Sequence, residues 1–149
     1  MKKEFLGISN LISLNHIGIA VYSLEEAIAR YSRMFDCEVL HSEINEEQQT
    51  AEAMIKCGGV QIQFLAPTSE TSPIAKFLDK RSQGVQQIAF DVEDLDLACD
   101  QARGLGIRVL YPESKYGTAG SKINFLHPQD CNGVLIELVE LQKPNFSNG

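Results

Sequence analysis

Four polar residues in this chain, His16, Gln63, Gln87 and Glu137, each sit in a short stretch of alternating apolar neighbours. Together they offer one imidazole nitrogen, two amide oxygens and one carboxylate. Such a set suits a divalent cation that keeps open positions for water or substrate oxygens. The ion acts as a Lewis acid, drawing charge from a carbonyl oxygen and making the adjacent carbon more acidic. Singly, each residue is a weak signal. A lone strand histidine is more often structural, and Glu137, between Ile136 and Leu138, could simply face solvent. What joins the four is a repeat.

The segment His16-Ile-Gly-Ile-Ala-Val21 aligns with Gln87-Ile-Ala-Phe-Asp-Val92; Leu24 then falls on Leu95 and Ala27 on Ala98, all at an offset of 71 residues. Each copy reads as a strand running into a helix. Ser23 and Asp94 are N-cap residues, and Glu25, Glu26 and Asp96 fill first turns, where the helix dipole favours carboxylates. The first helix is predicted to end near Phe35 and the second near Gly104 and Gly106, since glycine suits a C-cap. Strands are predicted over 38–44, 52–57 and 60–65, with Gly58-Gly59 as a hairpin turn, and over 108–111, 122–126 and 134–139.

Strand alternation turns the repeat into a site. Ile17, Ile19 and Val21 take the face under the helices and leave His16, Gly18 and Ala20 opposite. Ile88, Phe90 and Val92 likewise leave Gln87, Ala89 and Asp91. A face of polar and small residues lines a cavity rather than a core. Gln63 and Glu137 hold equivalent places in the last strand of each half, so a pseudo-two-fold arrangement brings the four together.

The expected fold is therefore α+β, with two tandem βαβββ modules related by a pseudo-two-fold axis and forming a cupped mixed sheet around a metal site. Module 1 spans about 14–67 and module 2 about 84–140 of a single domain over 1–149, with an N-terminal extension at 1–12 and a tail at 141–149. A chain of 149 residues, 44% hydrophobic and 22% charged, can bury a real core. Its net charge of -7 argues against nucleic acid or an anionic membrane as partner. No apolar run approaches ~18 residues, so neither a signal peptide nor a membrane span is expected. Cys37, Cys57, Cys99 and Cys131 form no C-x-x-C and read as reduced thiols of a soluble, cytoplasmic protein.

Longer motifs carry a resemblance. Leu14-Asn-His-Ile-Gly-Ile-Ala-Val21, His41-Ser-Glu-Ile-Asn-Glu-Glu-Gln48, Ile62-Gln-Phe-Leu-Ala-Pro67, Ser72-Pro-Ile-Ala-Lys-Phe-Leu78, Phe125-Leu-His-Pro-Gln-Asp-Cys131 and Gly133-Val-Leu-Ile-Glu-Leu-Val139 resemble the methylmalonyl-CoA epimerase family of the vicinal oxygen chelate (glyoxalase-like) superfamily. The match runs from about Leu14 to Val139. It implies metal ligands at His16, Gln63, Gln87 and Glu137, the four positions the repeat also selects. It further implies a catalytic carboxylate at Glu52. One departure stands out: where most relatives read His-His, this chain reads Gln86-Gln87. An amide oxygen replaces a neutral imidazole, which favours a harder, octahedral ion. Co²⁺ is the expected cofactor, with Mn²⁺, Ni²⁺ or Zn²⁺ as alternatives.

The activity this resemblance implies is epimerisation of (2R)/(2S)-methylmalonyl-CoA, by proton abstraction and return at the α-carbon through a metal-stabilised enolate. Glu52 is one base, and Glu137, a water or another residue the second. The loop holding Gly117, Thr118, Ser121 and Lys122 offers small residues, amides and a cation for the substrate carboxylate or thioester, or is a flexible hairpin. Lys76, Lys80 and Arg81 either meet nucleotide phosphates or form a solvated helix face. His127 reads as structural in its turn before Pro128, and His41 as solvent-facing. A homodimer is implied. Two other functions fit the same fold: a glyoxalase-type isomerase, and a metal-free small-molecule-binding module of the antibiotic-sequestering kind.

Overall fold

A computed structural model describes residues 4–142. The terminal parts of the predicted extension and tail, residues 1–3 and 143–149, lie outside the described residues. The chain divides into two compact units, one running from Asn15 to Ala89 and the other combining the residues up to Leu14 with those from Phe90 onward. Strands β1 (Leu11–Ala20) and β5 (Gly84–Val92) pass through both boundaries.

The first unit holds most of β1, then α1 (Leu24–Phe35), β2 (Glu38–Asn45), β3 (Thr50–Cys57), β4 (Val60–Pro67), α2 (Pro73–Arg81) and the start of β5. Its strand order is β2-β3-β4-β1-β5. The pairs β2–β3 and β3–β4 are antiparallel hairpins, whereas β1 and β4 run parallel. Ser23 caps α1 as expected, its Oγ accepting from the Glu26 amide at 3.2 Å. Ser72, fully buried, caps α2 by accepting from the Ile74 amide, and Pro73 fills the first helical position, where its missing N–H costs nothing. Val21, Ile55, Phe64 and Ala66 form a core with Ile19, Ile28 and Tyr31, as the alternation predicts. Tyr31 meets Phe64 edge-on at 4.9 Å between centroids. On the opposite parity, Ala20 and Leu65 pack beneath Ile74 and Leu78, so α2 covers one end of the polar face.

The second unit holds α3 (Leu95–Gly104), β6 (Lys115–Tyr116), β7 (Lys122–Leu126) and β8 (Leu135–Glu140), with strand order β8-β7-β6. Asp94 caps α3, accepting from the Leu97 amide at 3.0 Å. Val92, Leu95, Ala98, Cys99, Ala102, Leu126 and Leu138 make its core. Each half of the chain therefore follows the order strand, helix, strand, strand, strand, with α2 inserted in the connection.

Two expectations are corrected. Residues 108–111 form no strand: Val109 makes only an isolated bridge to Leu126, and the ladder position passes to β6. The cause is local. Asn124 donates to the Tyr111 carbonyl at 3.0 Å and accepts from its amide at 3.2 Å, so a side chain takes the groups a strand would use. The second correction concerns thiols. Cys37 and Cys57 form a disulfide, with Cα atoms 5.0 Å apart, while Cys99 and Cys131 are free. The β2–β3 ladder explains the pair: Glu38 faces Lys56, and one step outward Cys37 meets Cys57. Among the described residues no helix is long and apolar enough to cross a membrane.

Candidate active site

Register places the polar side chains of the first unit on one face. Met54 lies opposite Gln63 and Glu52 opposite Leu65 across β3–β4, while Gly18 lies opposite Gln63 across β4–β1. Directly opposed residues share a face. Glu52, Gln63 and the His16–Gly18–Ala20 row are therefore co-facial.

The side chains then meet. Gln63 Nε2 donates to Glu52 Oε2 at 3.4 Å, and Gln87 Nε2 donates to Gln63 Oε1 at 3.4 Å. The same Gln87 nitrogen lies 3.2 Å from His16 Nε2. All four residues are buried, none more than 7% exposed. Protons fix the direction of the line. An amide nitrogen only donates, so His16 Nε2 must be the acceptor and carry a lone pair. The ring proton then sits on Nδ1, which donates to Asn15 Oδ1 at 2.5 Å.

This geometry bears on a divalent cation. The lone pairs of His16 Nε2 and Gln63 Oε1 converge on one point, marked by the Gln87 amide. A neutral imidazole whose other nitrogen donates to an oxygen is in the state a metal ligand requires. Among the described residues no three His, Cys, Asp or Glu side chains cluster as a metal site, because this donor set draws on two amides. Glycine makes the arrangement possible. A Cβ on Gly18 would stand 2.5 Å from Gln87 Cγ and 3.0 Å from its Cδ.

The remaining predicted residues belong to the second unit. Glu137 is buried on β8, opposite Phe125 of β7. Gly117 packs tightly on Ile123, where an added Cβ would approach within 2.8 Å. The Gly117 amide donates to the Ser121 carbonyl at 2.8 Å, and Thr118 begins a short 3₁₀ turn that leaves Ser121 buried. Lys122 Nζ is 3.0 Å from Asp96 Oδ2, and that hydrogen bond raises the lysine pKa. Its charge is therefore engaged at the start of α3. In the first unit Lys76, Lys80 and Arg81 are exposed. His127 caps the turn that follows it, its Nδ1 accepting from the Gln129 amide.

Sequence reasoning misses two groups, Asn15 and Glu43, and reads a third, His41, only as solvent-facing. Glu43 lies directly opposite Glu52 across β2–β3, and His41 opposite Met54, so both share the Glu52 face. His41 Nε2 is 3.0 Å from Glu43 Oε2, and at 40% side-chain exposure it is not simply solvent-facing. The turn at Glu46–Gln49, pairing Asn45 with Thr50, carries the register that would have revealed this.

Comparison with known proteins agrees with this plan. A sequence profile described as the Glyoxalase/Bleomycin resistance protein/Dioxygenase superfamily matches residues 15–125. The ethylmalonyl-CoA/methylmalonyl-CoA epimerase of Cereibacter sphaeroides is 38% identical over 130 residues, covering 86% of this chain and 97% of its own. The crystal structure of methylmalonyl-CoA epimerase from Mycobacterium tuberculosis matches with a TM-score of 0.87 and 46% identity over 97% of each chain. A variant of the Streptomyces coelicolor methylmalonyl-CoA epimerase, in complex with 2-nitronate-propionyl-CoA, gives a TM-score of 0.85 and 42% identity over 89% of this chain and 99% of that one. The chain belongs to the glyoxalase/bleomycin resistance/dioxygenase superfamily and, within it, to the methylmalonyl-CoA epimerase family.

Proposed function

We propose that this chain interconverts (2R)- and (2S)-methylmalonyl-CoA by removing the α-proton and returning it to the opposite face. The observation that carries this is the buried line from Glu52 through Gln63 and Gln87 to His16, in a chain whose relatives are methylmalonyl-CoA epimerases. In this substrate the α-carbon lies between a thioester and a carboxylate. Removing its proton pushes the C–H electron pair toward the thioester oxygen, and stabilising that charge is the main obstacle.

His16 and Gln63 would hold a divalent ion together with Gln87, whose amide must turn to offer Oε1 in place of the Nε2 that it presents to them, and Glu137 is the fourth ligand by sequence resemblance. When bound, the ion supplies Lewis-acid stabilisation of the developing oxygen charge. One nitrogen and three oxygen donors favour a harder, octahedral ion, and Co²⁺ is proposed, with Mn²⁺, Ni²⁺ or Zn²⁺ as alternatives. Glu52 takes the proton from one face, and Glu137 is proposed to serve the other. Each such base typically contributes about 10²–10⁴-fold. The Streptomyces coelicolor complex supports the class of substrate, since a nitronate at carbon 2 is a planar anion like a deprotonated α-carbon. The loop holding Gly117, Thr118, Ser121 and Lys122 is proposed to meet the acyl end of the substrate, although the Gly117 amide itself already donates to the Ser121 carbonyl. Assembly as a cytoplasmic homodimer completes the reading.

The test is solvent deuterium exchange at the α-carbon of methylmalonyl-CoA, followed by NMR, with metal-stripped protein reconstituted with Co²⁺. Ethylmalonyl-CoA is run beside it. Exchange is expected to depend on the ion and to fall by roughly 10²–10⁴-fold in Glu52→Gln. No exchange above background with any divalent ion would sink the proposal.

A further inference from the structure

We propose that Asn15 is a positioning residue, which holds His16 in the Nδ1-protonated tautomer and so keeps the Nε2 lone pair on the ligand face. The inference deepens the cation-site reading above and rests on it. Two contacts, independent of each other, give the same proton placement. On one side, the Gln87 amide nitrogen at 3.2 Å requires His16 Nε2 to accept. On the other, an oxygen of Asn15 at 2.5 Å requires Nδ1 to donate. His16 is only 3% exposed, so bulk water is a poor substitute for either partner.

The choice of tautomer decides what the ring can do. In free solution a neutral imidazole samples both tautomers, and only the one protonated at Nδ1 offers Nε2 to a cation. An acceptor fixed at Nδ1 selects that state before any ion arrives and orients the ring. Asn15 is the residue just before His16 on β1, and although strand alternation alone would send the two side chains to opposite faces, its Oδ1 reaches the ring. Reversing the Asn15 amide would present its nitrogen, force the proton to Nε2 and remove the ligand. Donation then runs outward from the Gln87 amide, one way through His16 to Asn15 and the other way through Gln63 to the Glu52 carboxylate.

The experiment is long-range ¹H–¹⁵N correlation of the histidine rings in metal-free protein, with His16 assigned by substitution. The wild type is expected to show a protonated Nδ1 and a bare Nε2. Asn15→Asp keeps an acceptor and should preserve that pattern, whereas Asn15→Leu should shift His16 toward the Nε2-protonated form. Co²⁺ titration of the same proteins should show a Kd on the order of 10–100-fold weaker for Asn15→Leu, with Asn15→Asp rescued to within a few-fold of wild type. Thermal unfolding of each variant separates a lost tautomer from a lost fold. An Nε2-protonated His16 in the wild type, or an unchanged pattern in Asn15→Leu, would overturn the proposal. Co²⁺ binding to none of the three proteins would overturn the cation role while leaving the tautomer result standing, so the two failures are distinguishable.

Discussion

Gly18 and Gln87 are mutually fitted: a Cβ at residue 18 would stand 2.5 Å from Cγ of Gln87, closer than real Cβ atoms come. The clash falls on the stem of the glutamine, not its mobile end, so the whole side chain must move. Gly18→Ala is expected to cost about 1–3 kcal/mol by overpacking. It should also weaken Co²⁺ binding by roughly tenfold or more through the displaced amide. In a double-mutant cycle with Gln87→Ala, much of the stability cost should disappear, giving a coupling of about 0.5–3 kcal/mol. Denaturant unfolding and Co²⁺ titration of the four proteins measure both. Strict additivity would show that the contact is not felt.

The amide at position 87 sets the hardness of the donor set. Gln87→His would supply a second imidazole, and Co²⁺ and Zn²⁺ affinity should rise by at least about tenfold, with Mn²⁺ gaining less. Competition titrations with a chelator of known affinity read this directly. No gain for any of the three ions would show that residue 87 does not contact the ion.

The bond between Cys37 and Cys57 closes a loop with a sequence separation of 20 residues. By chain-entropy arguments a loop of that size stabilises by roughly 3 kcal/mol. A change of this size corresponds to a Tm shift of roughly 6–12 °C for a chain of this length. Cys37→Ser, or reduction of the wild type, should lower Tm by that order, and reductant should then leave Cys37→Ser unmoved. A wild-type melt indifferent to reductant would show that the pair is open in solution.

Arg108 grips Asp130 through Nε and Nη2 at 3.0 and 3.1 Å, and a backbone amide adds a third contact at 2.9 Å. These hydrogen bonds hold the Asp130 carboxyl down at about 2, from an ordinary value of 3.8. A depressed native pKa stabilises the fold above the unfolded value. That contribution is complete above about pH 4 and is lost as pH falls toward 2. The site is solvent-exposed, so the effect on stability is small, but the titration itself is measurable. Carboxyl-detected NMR should place Asp130 near 2 in the wild type and higher in Arg108→Leu, with part of the depression kept by the residue-108 backbone amide.

Much of the candidate site was legible in the sequence because strand alternation is a local, period-two rule. His16, Gln63 and Gln87 each carry their facing in their immediate neighbours, and the offset of 71 residues shows that the pattern repeats. Helix caps at Ser23 and Asp94 were legible for the same reason, since a cap is decided within one turn. Glu52 is different: its role came from a resemblance, and only the β3–β4 register puts it beside Gln63. The tertiary structure alone decided the rest. Ladder register set Cys37 against Cys57 and Glu43 against Glu52, and a side chain from Asn124 dissolved the strand expected at 108–111. The space that Gly18 leaves for Gln87, and the Asn15 oxygen that fixes the His16 proton, depend on atoms whose positions no local period encodes. Periodicity assigns each residue a face, but which atoms touch on that face is fixed by pairing between distant strands.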